Sequence, residues 1–120
     1  MKKKKILIVE GIENNVILYT KLLSDKYDLI ITKNLSDAKK NIEEQENNIT
    51  LIIIGVSPNF GSLKDIDVIN LIRTKGLKAM TTCSINYCKH CPLLNSEVKC
   101  MLTPINNKKF LEVTKTIINY

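Results

Sequence analysis

The feature that most constrains this chain is a regular alternation of short apolar runs with segments of helical period. Ile6–Val9 is a continuous apolar run closed by Glu10-Gly11, the pattern of a strand buried on both faces. Val16, Tyr19 and Leu23 then recur at helical spacing, and the helix is expected to end near Ser24-Asp25. Tyr27–Thr32 reads as a second strand. Asn34, with Asp37 three residues on, reads as an N-cap with an acidic first turn, and Leu35, Ala38 and Ile42 form that helix's buried stripe.

Leu51–Ile54 is the most strand-like run, with three consecutive isoleucines before Gly55, and 57–61 (Ser-Pro-Asn-Phe-Gly) has loop chemistry. Ser62 and Asp65 have the spacing of a capping box. Val68, Leu71 and Ile72 supply the inward face of the next helix, which Gly76 is placed to terminate. Leu77–Thr82 and Val98–Leu102 are weaker strands, each carrying a lysine, which suits positions toward a sheet edge. After Pro104, Asn106 can cap a last helix with Phe110, Val113 and Ile117 facing inward.

Five strands thus alternate with four helices, and the stretch between strands four and five is irregular where a further helix could stand. Short connections and right-handed crossovers make this an α/β chain with a doubly wound, five-stranded parallel sheet between two helical layers. At 120 residues, with no linker, repeat or low-complexity segment, residues 1–120 are expected to form one domain. Ligands in such folds bind at the carboxyl ends of the strands. Those ends are Glu10-Gly11, Gly55-Val56, Thr81–Cys83 and Thr103-Pro104.

Composition narrows the partners. Apolar residues are 44% and charged residues 25% of the chain, ordinary for a globular protein. No apolar run approaches the roughly 20 residues that cross a bilayer. The lysines at 2–5 are followed by an apolar run that stops at Glu10 without a small-residue cleavage site, so a cytoplasmic location is expected. The net charge of +6 draws four of its charges from those lysines. The remaining lysines are scattered and aromatics are few, so dedicated nucleic-acid binding is not expected.

In order and spacing, three pieces resemble a response-regulator receiver domain over essentially the whole chain. Lys5-Ile6-Leu7-Ile8-Val9-Glu10 is similar to that family's first strand. Leu51–Ile54 with the loop containing Ser57-Pro58 is similar to its third strand and following loop. Met101-Leu102-Thr103-Pro104 is similar to the end of its fifth strand. The resemblance implies a flavodoxin-like sheet of order 2-1-3-4-5. It also implies a site in which paired acids after the first strand hold a divalent metal and an aspartate ending the third strand takes a phosphoryl group. A lysine before the proline pairs with that group, and a Ser/Thr after the fourth strand senses it.

Carried onto this chain, the acid pair falls on Glu10 and Gly11, the acceptor on Gly55 and the lysine on Thr103; the hydroxyl survives as Thr81 or Thr82. The expectation is a pseudo-receiver that cannot be phosphorylated by the family's chemistry. It would act without catalysis as a signalling or adaptor module, reading out to a protein partner through strand four, strand five and the last helix (the family's fifth). A lone Glu10 is a poor Mg²⁺ site, so Mg is not expected, and Glu10 itself reads as a solvated strand-end carboxylate.

All four cysteines and the one histidine fall within eighteen residues: Cys83, Cys88, His90, Cys91 and Cys100. Cys88-Lys89-His90-Cys91 has a spacing that lets one turn present two thiolates to a metal. A Zn²⁺ site of four thiolates, or of three with His90, competes with reduced buried thiols, a redox pair and an iron–sulfur centre. Cys100 falls where receivers often carry a switch tyrosine. A metal- or redox-sensing module on the same scaffold is therefore the alternative function. No Gly-rich phosphate loop or nucleophile–base pair supports an enzyme.

Overall fold

The strands assemble in an order that their sequence spacing alone does not reveal. In a computed structural model, which describes residues 3–45, 48–55, 63–83, 99–102 and 105–119, a five-stranded sheet runs β2-β1-β3-β4-β5, all pairs parallel. The elements are β1 (Lys4–Val9), α1 (Glu13–Leu23), β2 (Tyr27–Thr32), α2 (Leu35–Gln45), β3 (Ile49–Gly55), α3 (Leu63–Thr74), β4 (Ala79–Cys83), β5 (Lys99–Leu102) and α4 (Asn107–Asn119). This is the expected flavodoxin-like arrangement. The irregular stretch expected between strands four and five, and Ser62 of the suggested capping box, lie outside the described residues.

Two apolar cores flank the sheet. On one side Leu7, Val9, Ile52, Ile54 and Ala79 pack with Leu35, Ala38 and Ile42 of α2 and with Val68, Ile69 and Ile72 of α3. On the other, Ile6, Ile8, Leu51, Ile53 and Met80 pack with Tyr19 and Leu23 of α1 and with Phe110 and Ile118 of α4. Successive side chains of a strand point to opposite faces, so the continuous runs in β1 and β3 feed both cores at once. Between Lys5 and Ile6 the pairing with β3 slips by one residue, from Ile49 to Leu51. That bulge places Ile49 with the α2–α3 core while Leu51 serves the other.

Local signals in the sequence act as expected at three helix ends. The Asn34 side chain accepts from the Asp37 amide at 2.9 Å, and Asn106 accepts from the Lys109 amide at 3.0 Å. At the end of α3, Gly76 adopts φ +67; its amide donates to Arg73 and the Leu77 amide to Ile72. This is the paired hydrogen bonding of a Schellman cap, where a side chain at the left-handed residue is strained.

Three expectations need correction. α4 packs Val113 and Ile117 against the core as expected, only partly buried, but its buried residues are Phe110, Thr114 and Ile118. The shift is tolerated because the Thr114 hydroxyl reaches the Met80 sulfur at 3.8 Å, giving a polar group on the core side a partner. β4 lies beside the edge strand β5 as expected, but it begins at Ala79 rather than Leu77. Its lysine, Lys78, precedes the strand and donates from Nζ to the Ile118 carbonyl at 3.2 Å. The third concerns Glu10, which is buried.

Candidate functional site

Glu10, Gly55 and Thr82 meet at the carboxyl end of the sheet. Alternation along β1, β3 and β4 puts all three on the α1–α4 side: Glu10 follows Ile6 and Ile8, Gly55 follows Leu51 and Ile53, and Thr82 follows Met80. Gly55 and Thr82 are direct register partners. The Glu10 amide extends the β1–β2 ladder by donating to the Thr32 carbonyl at 2.9 Å, which anchors its backbone.

The Glu10 side chain is only 6% exposed, so the reading as a solvated carboxylate is overturned. The reason is Gly55. A Cβ added there would lie 2.5 Å from Glu10 Oε1 and 2.7 Å from both Cδ and Oε2. The missing side chain leaves a hollow, and the carboxylate lies in it.

Two groups of α1 receive that carboxylate. The Ile12 amide donates to Oε2 and the Asn15 Nδ2 donates to Oε1, each at 3.3 Å. Ile12 is the N-cap residue of α1 and makes no side-chain cap of its own. The Glu10 carboxylate therefore serves one of the helix's otherwise unpaired amides, and its charge faces the positive end of the helix dipole.

Tyr19 extends the network inward. It is 0% exposed, its hydroxyl lies 2.9 Å from Thr82 Oγ1, and its ring stacks on Phe110 with centroids 5.3 Å apart and planes at 18°. Burial pushes the Tyr19 hydroxyl up to about 12, against the downward pull of the Thr82 hydrogen bond. The negative charge of Glu10 pushes it further in the same direction.

The structure separates the two threonines that the sequence left as alternatives. Thr82 joins the network. Thr81 is 1% exposed on the α2–α3 side, and its hydroxyl is buried without a hydrogen-bond partner among the described residues. Tyr19 and Asn15 were not among the sequence-predicted site residues. Tyr19 carried a signal, being the one residue of its apolar stripe with a hydroxyl that burial obliges to find a partner.

A divalent metal does not fit the residues present. Of the positions where the receiver resemblance would put carboxylates, Gly11 and Gly55 have none, and both oxygens of Glu10 already accept hydrogen bonds. Mg²⁺ needs a nearly octahedral set of oxygens, which one engaged carboxylate does not provide. A Cβ at Gly11 would meet only the Lys33 carbonyl, at 3.4 Å, so its lack of a carboxylate is a matter of sequence rather than space. Thr103 and Pro104 lie outside the described residues.

The cysteine group is brought together only in part. Cys88, His90 and Cys91 lie outside the described residues. Cys83 ends β4, while Cys100 lies in the adjacent strand opposite Thr81, with Cys83 opposite Leu102. Among the described residues no group of His, Cys, Asp or Glu could hold a metal ion. Among them, too, no helix is long and apolar enough to cross a membrane.

Comparison with solved structures places this fold among receivers. A response regulator from Thermotoga maritima is 19% identical, over 98% of this chain and 99% of that one, with a TM-score of 0.77. The receiver domain of a sensor histidine kinase from Pseudomonas aeruginosa, with a magnesium ion coordinated in its active-site cleft, is 13% identical. Coverage there is 98% of this chain and 99% of that one, with a TM-score of 0.81. A response-regulator receiver domain protein from Clostridium thermocellum is 14% identical over 96% and 94%, at 0.78. No family model matches the sequence. No curated protein matches it either. At these identities the likeness shows the fold, a receiver-type flavodoxin-like α/β domain.

Proposed function

We propose that this chain is a single pseudo-receiver domain, a non-enzymatic signalling or adaptor module of a two-component-like system that cannot accept a phosphoryl group. The observation that carries the reading is the Glu10 carboxylate lying against Gly55. The position where a receiver's acceptor aspartate would stand has no side chain, and the space is taken by an anion. A phosphoryl group brought there would meet a buried carboxylate with no metal to offset the repulsion. The protein would work in the cytoplasm and meet a protein partner through the face of β4, β5 and α4. Its resting shape would then serve as its signalling shape.

Incubation with a small phosphodonor and Mg²⁺, followed by intact-mass measurement, tests the reading. No mass gain is expected. Acyl-phosphate formation on any carboxylate would overturn it. The cysteine-centred alternative, a zinc or redox sensor, has no observation in its favour among the described residues.

A further inference from the structure

Tyr19 is the point where the pocket meets the rest of the α1–α4 core. Its ring lies on Phe110 of α4 and its hydroxyl on Thr82 of β4, the register partner of Gly55, against which the Glu10 carboxylate lies. A phenol has one proton to donate, and so has a threonine hydroxyl. The carboxylate can only accept. The charge on Glu10 therefore favours a short chain in which the Thr82 and Tyr19 hydroxyl dipoles both turn toward it. The negative charge gives this chain its direction, and full burial leaves the ring no room to answer a change by turning into solvent.

We propose that Tyr19 is a positioning residue that couples the Glu10 carboxylate to the end of β4 and to α4. Loss of charge at Glu10 leaves a neutral carbonyl there and removes the negative charge that orders the two hydroxyls. The Tyr19 ring and the Phe110 ring stacked on it then settle differently. In this way the pocket holds α4 and the end of β4 in one arrangement through an internal anion. Its meaning for signalling rests on the pseudo-receiver reading; the coupling itself does not.

Amide NMR spectra of the full chain carrying Glu10→Gln, Tyr19→Phe and both substitutions test the coupling. Both changes nearly keep side-chain shape. Glu10→Gln alone is expected to displace the amide signals of Thr82, Phe110 and Thr114. In the Tyr19→Phe background, which keeps the ring stack but lacks the hydroxyl, the same substitution should displace them by less than half as much. Equal displacement in both backgrounds, or none in the parent, overturns the proposal. If Tyr19→Phe does not fold, Thr82→Val removes the same link from the other side. Glu10→Gln should then displace Phe110 and Thr114 less than in the parent, and undiminished displacement overturns the proposal. Acyl-phosphate formation would sink the pseudo-receiver reading without touching this result, so the two failures are distinguishable.

Discussion

The carboxylate of Glu10 lies 2.5 Å, at its nearest oxygen, from the point where a side chain at position 55 would begin. The two residues are complementary: the glycine leaves a hollow at the end of β3, and the glutamate at the end of β1 occupies it. The contact is steric before it is electrostatic, which makes it testable by substitutions that carry no charge.

Gly55→Ala forces the Glu10 carboxylate out of its place and away from the Ile12 amide and Asn15. Hydrogen bonds to a charged acceptor contribute about 1.5–3 kcal/mol each, and partial relaxation of a long side chain recovers some of that. A loss of about 1–3 kcal/mol is expected by urea denaturation. With Glu10→Ala already present, the further cost of Gly55→Ala should fall below about 0.5 kcal/mol, the limit for independent sites. Additivity of the two changes would refute the packing.

Thr82→Val and Thr81→Val should behave oppositely although both residues are buried. The first leaves the Tyr19 hydroxyl without its 2.9 Å partner and is expected to cost about 1–3 kcal/mol. The second removes a hydroxyl with no partner among the described residues and should be neutral or stabilising. Thermal denaturation of the two variants side by side checks the contrast.

Alkaline solutions should destabilise the fold through Tyr19. An unfolded tyrosine ionises near 10, whereas burial holds the folded residue's proton up to about 12. Between those values the native state binds more protons than the unfolded chain, so stability falls as pH rises. The contribution is intact below pH 10 and is lost by about pH 12, a fall of roughly 2–3 kcal/mol. Tyr19→Phe should flatten this part of the stability–pH profile. An unchanged slope would show that other groups set it.

Gly76→Ala and Asn106→Ala probe helix ends away from the site. The first places a side chain at φ +67 and should cost about 1–2 kcal/mol. The second removes the acceptor for the Lys109 amide and should cost about 1 kcal/mol. Neither should alter the Tyr19 hydroxyl's high ionisation range, which an ultraviolet pH titration reads directly.

Features that depend only on near neighbours could be read from the chain alone. The caps at Asn34 and Asn106, the stop at Gly76 and the apolar runs of β1 and β3 were legible because each is decided within a few residues. The resemblance of strand ends to a receiver gave the sheet order. The stripe of α4 was read by apolarity and missed Thr114, since only the position of Met80 makes that hydroxyl acceptable in the core.

The site belongs to the tertiary structure. Glu10 read as solvated because nothing beside it in the sequence buries it. The cover comes from an absence in β3, from an amide and an amide side chain at the start of α1, and from the parallel pairing that brings the ends of β1 and β3 together. The choice between Thr81 and Thr82 was likewise open until strand pairing set which face each occupies. The receiver resemblance supplied the expectation of which groups a phosphorylation site would lack. Packing alone decided what lies there instead, because a hollow is a property of what surrounds it.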